Sequence, residues 1–120
     1  MITLRAGNAV AEIYPSAGGR LGQLTFGDGP ILRGPENGVA ELGWAFWGSY
    51  PLLPWCNRIP GGEFTFEGRP GRVPVNWADG TAIHGLTADA AWTVAGVDSD
   101  DIRVELTIEA SEGSYAVIGI

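Results

Sequence analysis

The chain has 120 residues, and its 45% hydrophobic content is enough for a folded core and excludes intrinsic disorder. Its 14 acidic and 7 basic residues give a formal net charge of −7, which repels phosphate backbones and excludes nucleic acid as an expected partner. The 19 glycines and 8 prolines favour many turns between short strands, and the length predicts a single domain over residues 1–120.

The cysteine content and the N-terminus indicate the cellular compartment. Cys56 is the only cysteine, so no internal disulfide can form. One cysteine and one histidine are too few ligands for a zinc site, and no metal is expected. The first residues lack the pattern of a secretory signal, and no apolar run approaches the roughly 18 residues of a membrane span. We therefore expect a cytoplasmic protein with no membrane partner.

The N-terminal third predicts short antiparallel strands. Gly7-Asn8 separates the first two runs and favours a hairpin turn, because both residues tolerate positive φ. A third run follows Gly18-Gly19. The predicted strands are residues 2–5, 9–14 and 20–26, followed by a turn at 27–30 and a connecting loop from 31 to 48.

The C-terminal half also predicts strands rather than helices. Residues 63–67 alternate Phe64 and Phe66 with polar neighbours, as in a half-buried strand. A further hairpin is predicted from 91–97 and 101–109, with alternate aliphatic residues on one face of the second arm. The fold class is therefore all-β, a piece of a sandwich. The apolar run at 115–120 ends the chain and predicts truncation.

A set of short motifs between residues 48 and 94 carries a family resemblance. The motifs are Pro54-Trp55, Asn57-Arg58-Ile59, the glycine-bounded segment 62–68, Ile83-His84-Gly85 and Trp92. Together they resemble the first half of an aldose 1-epimerase (galactose mutarotase) active site. The resemblance implies an N-terminal portion of a galactose mutarotase-like β-sandwich (supersandwich), an isomerase without cofactor, and a free aldose as its small-molecule partner.

Interconverting the anomers of an aldose requires a base, an acid and a clamp for a neutral polyol. Arg58 matches the family arginine that hydrogen-bonds sugar hydroxyls, and Asn57 is a weaker candidate for the same contact. His84 matches the first family histidine, near the sugar ring oxygen, and is the candidate catalytic and substrate-binding residue. The family's acid histidine and its late base glutamate have no counterpart in this chain. The 120-residue form is therefore expected to have negligible activity.

Each of these residues also has a structural explanation. A single His in a turn is more often a structural hydrogen-bonder, and an isolated Arg is normally a solvated surface group. Trp47 or Trp77 is the preferred stacking platform for a sugar, although tryptophans mostly fill cores. Asp79, followed by Gly80, is better explained as part of a turn.

The composition of the segment between the His-Gly pair and Trp92 indicates the class of substrate. Residues 86–91 contain no cation and include Asp89, whereas related hexose-6-phosphate epimerases place arginines there. A neutral sugar is therefore favoured over a sugar phosphate. Two alternatives remain open: a non-catalytic carbohydrate-binding β-sandwich module, and an incomplete gene product that never folds stably.

Overall fold

The structure, a computed structural model, describes residues 1–35, 40–98 and 102–105. These residues form ten β-strands and three short 3-10 turns, and no α-helix occurs among them. No helix in this part of the chain is long and apolar enough to cross a membrane. The described residues group into two compact units. The first contains Met1–Pro51 and the described residues from Thr87 onward, and the second contains Leu52–Leu86.

The first unit contains a four-stranded antiparallel sheet. Its strands are β1 (Ile2–Ala6), β2 (Ala9–Tyr14), β3 (Arg20–Phe26) and β4 (Gly29–Pro30), in that spatial order. The three strands predicted for this region are confirmed. The predicted turn at 27–30 is longer than the observed one, because its last two residues pair with Thr25 and Phe26.

Two further strands and the 3-10 turns complete the described part of this unit. Strands β9 (Thr93–Val97) and β10 (Ile102–Glu105) form the predicted hairpin. The 3-10 turns are Pro15–Ala17, Ala40–Leu42 and Trp44–Phe46, the last two within the predicted loop. The predicted alternation of apolar and polar residues along 102–108 concerns side chains that the structure does not describe. The apolar segment 115–120 lies outside the described residues.

A buried arginine organises the interior of the first unit. Arg20 is 5% exposed, and its Nε and Nη2 donate hydrogen bonds to the carbonyl oxygen of Ala88 at 3.2 and 2.7 Å. Nη2 also pairs with the carboxylate of Asp89. The guanidinium carbon lies 4.9 Å from the centroid of the Trp47 ring, at cation–π distance. Burial of this charge is therefore compensated by a carbonyl, a carboxylate and an aromatic face.

The second unit is built from two strand pairs. Its strands are β5 (Arg58–Pro60), β6 (Glu63–Phe66), β7 (Arg69–Arg72) and β8 (Thr81–Ile83). Strand β5 pairs antiparallel with β8, and β6 pairs with β7. The predicted strand at 63–67 is confirmed as β6, one residue shorter. Strands β5 and β8 are too short to show a hydrophobic period, and the sequence of β7, Arg-Pro-Gly-Arg, has no apolar alternation, so these three strands were not predicted.

The core of the second unit is small. Val73 and Ala82 are 3% and 0% exposed. Four partly buried apolar side chains pack against these two residues: Trp55, Ile59, Phe64 and Leu86. Ala82 lies in the middle of β8, so the core holds β8 against β5 and places the residues at the ends of both strands.

Candidate active site

The candidate site lies in the second unit, where β5 and β8 pair. Arg58 pairs with Ile83 at one end of the ladder. Just beyond this pair the backbone N–H of His84 donates a 3.1 Å hydrogen bond to the carbonyl oxygen of Asn57. The ladder therefore brings the Asn57-Arg58 motif and the His84-Gly85 motif together, although 27 positions separate Asn57 from His84.

Asn57 and His84 both have left-handed backbone conformations, with φ of 67° and 58°. Asn and His adopt this region more readily than most residues with a side chain. Each residue ends the regular extended geometry of its strand, so both side chains leave the pleated alternation at the same point. The left-handed pair therefore defines the end of the strand ladder at which the site forms.

The hydrogen bonding of His84 fixes its tautomer. Its Nδ1 accepts a 3.0 Å hydrogen bond from the backbone N–H of Asn57. A nitrogen that accepts cannot carry the proton, so the neutral imidazole holds its hydrogen on Nε2. The neutral His84 side chain therefore acts at Nε2 as a hydrogen-bond donor and cannot take up a proton there.

Arg58 is oriented by a carboxylate. Its Nε donates a 2.9 Å hydrogen bond to Oδ2 of Asp79, and both side chains are about half exposed, at 47% and 44%. Its backbone N–H donates to Oδ1 of Asn57 at 3.0 Å. Asp79 engages the Nε–H of the guanidinium, which has four further N–H donors on its two Nη atoms.

Asp79 is itself anchored. Its Oδ1 accepts hydrogen bonds from the hydroxyl and the backbone N–H of Thr81, at 2.6 and 3.0 Å. The Thr81 hydroxyl, with further contributions from Arg58 and the Thr81 N–H, lowers the pKa of Asp79 against a smaller opposing effect of desolvation. A carboxylate with a lowered pKa is a weak base at neutral pH. Asp79 therefore suits holding a guanidinium better than removing a proton from a sugar.

Asn76 holds the backbone on both sides of His84. Its Oδ1 accepts a 2.6 Å hydrogen bond from the N–H of Ile83. Its Nδ2 donates to the carbonyl oxygens of Ile83 and Gly85 at 2.9 and 3.2 Å. Three hydrogen bonds from one side-chain amide thus bracket the histidine.

Gly85 completes this local geometry. Its φ is 81°, and it forms a parallel bridge with Leu53. A Cβ on Gly85 would lie 1.8 Å from the carbonyl oxygen of Leu53, which also accepts a 2.7 Å hydrogen bond from the N–H of Leu86. Only glycine fits this position, which explains why His84 is followed by it.

Some residues of this site were not predicted from the sequence. The turn expected at Asp79-Gly80 is confirmed, since the N–H of Gly80 donates to the carbonyl of Trp77 at 3.1 Å. The contact of Asp79 with Arg58 was not predicted. The spacing of Asp79 and Thr81 favours a hydrogen bond between the Asp79 side chain and the Thr81 backbone, but it does not indicate a contact with Arg58. Asn76 carried no signal, because its contacts depend on the pairing of β5 with β8.

The two preferred tryptophans have different surroundings. Trp47 is 7% exposed in the first unit, where its ring packs edge-on against Tyr14 at 5.2 Å between centroids and faces Arg20. The expectation that Trp47 stacks on a sugar is wrong, because both neighbours cover the ring. Trp77 is half-buried in the turn before Asp79, and its stacking role stays a prediction.

The described site residues provide several hydrogen-bond donors and one carboxylate. Arg58 and Asn57 offer side-chain N–H donors, and His84 offers a donor at Nε2. Among the described residues of this site, Asp79 is the carboxylate in contact, and its pKa is lowered. No group of three potential metal ligands occurs in the described ranges. The arrangement therefore presents several hydrogen-bond donors, and the described site lacks an effective base.

Comparisons with known proteins identify the family. The family model described as Aldose 1-epimerase matches residues 1–117. The uncharacterized protein YihR of Escherichia coli K12 is 28% identical over 116 residues, which are 93% of this chain and 35% of YihR.

Solved structures agree on the fold. A proposed aldose 1-epimerase from Escherichia coli K12 has a TM-score of 0.69 at 24% identity and matches 85% of this chain and 34% of its own. A galactose mutarotase-like protein from Clostridium acetobutylicum has a TM-score of 0.68 at 26% identity, over 96% of this chain and 37% of its own. The chain thus spans about a third of the length of these relatives. The predicted fold class is confirmed. The chain belongs to the aldose 1-epimerase family, and its all-β fold is an N-terminal part of the galactose mutarotase-like β-sandwich.

Proposed function

We propose that this chain carries the sugar clamp of an aldose 1-epimerase, an isomerase that interconverts the α and β anomers of a free aldose. In this proposal Arg58 and Asn57 bind sugar hydroxyls, and His84 donates from Nε2 to the ring oxygen. No cofactor takes part in the reaction. The reaction proceeds by ring opening, rotation of the aldehyde and closure on the other face, so a proton must leave the anomeric hydroxyl as another reaches the ring oxygen.

One observation supports this proposal most strongly. The Asn57 N–H and the Nδ1 of His84 form a hydrogen bond that leaves the proton of neutral His84 on Nε2. A donor fixed in this tautomer suits a neutral oxygen that gains electron density as the ring opens.

The charge around the site favours an uncharged sugar. Asp79 meets the Nε of Arg58, so the ion pair offsets part of the guanidinium charge. A phosphate dianion would meet little positive charge here, whereas hydroxyls need only directional donors.

Turnover requires a base, which the described site lacks, whereas sugar binding does not require one. The described site offers no carboxylate with a raised pKa, and the family's acid histidine and base glutamate have no counterpart in the sequence. We expect the 120-residue chain to bind an aldose without accelerating mutarotation. Because the chain spans about a third of its relatives, activity is proposed for a polypeptide that also supplies their remaining two-thirds.

Binding is tested by titrating galactose and glucose into the 120-residue chain while following tryptophan fluorescence. We expect saturable binding, weakened about 10-fold to 100-fold by Arg58→Ala because hydrogen bonds from a charged group are lost. Arg69→Ala, at an exposed position of β7, is the matched control and should bind as the wild type does. Equal affinity of Arg58→Ala and the wild type would refute the clamp.

Turnover is tested by polarimetry on freshly dissolved α-galactose. A polypeptide extended to the length of the relatives should accelerate the change in rotation, and His84→Ala should reduce the rate. Saturable binding without acceleration in that longer polypeptide would favour the alternative, a non-catalytic carbohydrate-binding module, over the enzyme. This alternative is retained because the described site contains no effective base. The predicted cytoplasmic location is part of the proposal, and fractionation of the source cells tests it.

A further inference from the structure

We propose that Asn76 and Asp79 are positioning residues that orient His84 and Arg58 toward the sugar, a role that rests on the proposed function. Neither residue needs to touch the substrate. Asn76 holds the backbone around the imidazole, and Asp79 holds the guanidinium. One loop thereby sets the spatial relation between the donor at position 84 and the clamp at position 58.

The case for Asn76 rests on its three hydrogen bonds. They reach Ile83 and Gly85, the two neighbours of His84, and use both the donor and the acceptor of the amide. His84 has a left-handed φ of 58°, which a non-glycine residue keeps only when its surroundings hold it there. Releasing either neighbour would let the backbone relax and weaken the bond between His84 Nδ1 and the N–H of Asn57.

The case for Asp79 rests on a chain of contacts. Thr81 holds Oδ1 through two hydrogen bonds, so the carboxylate is a fixed acceptor rather than a mobile counterion. Its Oδ2 then receives Nε of Arg58 at 2.9 Å. An arginine tied at Nε has a defined guanidinium plane, and its Nη donors point in a defined direction.

A short turn links these two residues. The N–H groups of Asn76 and Trp77 both donate to the carbonyl of Thr81, at 3.2 and 3.1 Å. The N–H of Gly80 closes the turn onto Trp77 at 3.1 Å. Asn76 and Asp79 therefore belong to one hydrogen-bonded segment, residues 76–81, and displacement of that segment would move both contacts together.

Stability alone is a poor explanation for the Asp79 contact. Both members of the ion pair are about half exposed, at 47% and 44%, and exposed pairs add little to the free energy of unfolding. The buried cluster of the unit consists of Val73 and Ala82, which neither Asn76 nor Asp79 belongs to. A fixed orientation for Arg58 is the property that these contacts provide.

The first experiment requires no sugar. The chain has one histidine, so ¹⁵N NMR of its imidazole reports on His84 alone. We expect the wild type to show the Nε2–H tautomer and Asn76→Ala to show a mixture of tautomers. Asn8→Ala, in the exposed β1–β2 turn, is the matched control and should match the wild type. An unchanged tautomer in Asn76→Ala would overturn the role of Asn76. If that variant does not fold, Asn76→Asp, which keeps the acceptor for the Ile83 N–H, is judged by the same criterion.

The second experiment addresses Asp79. Asp79→Asn keeps an oxygen for Thr81 and removes the charge that holds Arg58. We expect faster exchange of the Arg58 Nε–H with water and galactose binding weakened about 3-fold to 10-fold, as for loss of one exposed charge-assisted contact. Asp28→Asn, in the exposed β3–β4 turn, should change neither quantity. Unchanged Nε–H exchange in Asp79→Asn would overturn the role of Asp79.

The two proposals fail in different ways. If wild-type protein binds no aldose, the proposed function fails, while the tautomer of His84 and the exchange at Arg58 still report on positioning. If the wild type binds galactose and both variants bind equally well, the proposed function stands and the positioning role is wrong.

Discussion

Asn57 and His84 hold each other through two hydrogen bonds, and in each of them a backbone N–H is the donor. The N–H of Asn57 donates to the imidazole Nδ1 at 3.0 Å, and the N–H of His84 donates to the carbonyl of Asn57 at 3.1 Å. The first bond depends on which imidazole nitrogen carries the proton, and the second does not. The tautomer of the His84 imidazole therefore determines one of the two hydrogen bonds at this end of the β5–β8 ladder.

The first prediction concerns Asn57. Its φ of 67° suits Asn and Gly better than Ala, so Asn57→Ala should lower the free energy of unfolding by about 1–2 kcal/mol. Asn57→Gly keeps the backbone conformation but loses the bond from the Arg58 N–H, and it should cost less. Urea denaturation of the two variants measures the difference. A larger loss in the Gly variant than in the Ala variant would contradict a conformational role.

The second prediction concerns pH. The pKa of Asp79 is lowered in the folded protein, mainly by the Thr81 hydroxyl and also by Arg58. A carboxyl group with a lowered folded pKa stabilises the fold above its unfolded pKa of about 3.9, and this contribution is lost as the pH falls through the folded pKa. The difference in unfolding free energy between the wild type and Asp79→Asn should therefore be constant at neutral pH and shrink in acid. Asp28→Asn serves as the control, and a difference that grows on acidification would contradict the assignment.

The third prediction compares two glycines with nearly equal φ, 80° at Gly80 and 81° at Gly85. A Cβ on Gly80 would meet open space, whereas one on Gly85 would lie 1.8 Å from the Leu53 carbonyl oxygen. Gly80→Ala should cost about 1–2 kcal/mol for the backbone conformation. Gly85→Ala should cost about 1–3 kcal/mol more because the backbones must separate. Thermal unfolding of both variants gives the comparison, and equal costs would refute the close approach.

The fourth prediction concerns Arg20, whose side chain is 6% exposed while that of Asp89 is 71% exposed. Arg20→Met leaves the carbonyl of Ala88 without its buried donor, and it should cost about 1–3 kcal/mol. Asp89→Asn removes only the solvent-screened member of the pair and should cost less than about 1 kcal/mol. Chemical denaturation measures both. A more destabilising change at Asp89 would show that the ion pair, and not the carbonyl contact, dominates.

A structural element could be predicted from the sequence when the residues that define it are close together in the chain. Strands β1, β2, β3 and β6 were predictable because each is a short run of β-type residues bounded by turn residues that can be recognised locally. Strands β5 and β8 have three residues each, too few for a period, and they exist because they pair with one another.

The same limit applies to the site. Arg58 and His84 were found through motifs, whereas Asn76 is defined only by what it contacts across the turn. Trp47 was misjudged for a related reason. Its surroundings include Arg20 and Tyr14, which are distant in sequence, so nothing near residue 47 revealed that the ring is covered.

The β6–β7 hairpin has a consequence for protease susceptibility. Phe64 is half-buried because its ring occupies the space above Gly71, where an added Cβ would lie 2.4 Å from the ring, whereas Phe66 is 45% exposed. Chymotrypsin should therefore cleave after Phe66 before it cleaves after Phe64, since exposed sites near turns are cut first. The order in which the two cleavage products appear by mass spectrometry would show whether packing of the Phe64 ring on Gly71 protects the chain at Phe64 from digestion.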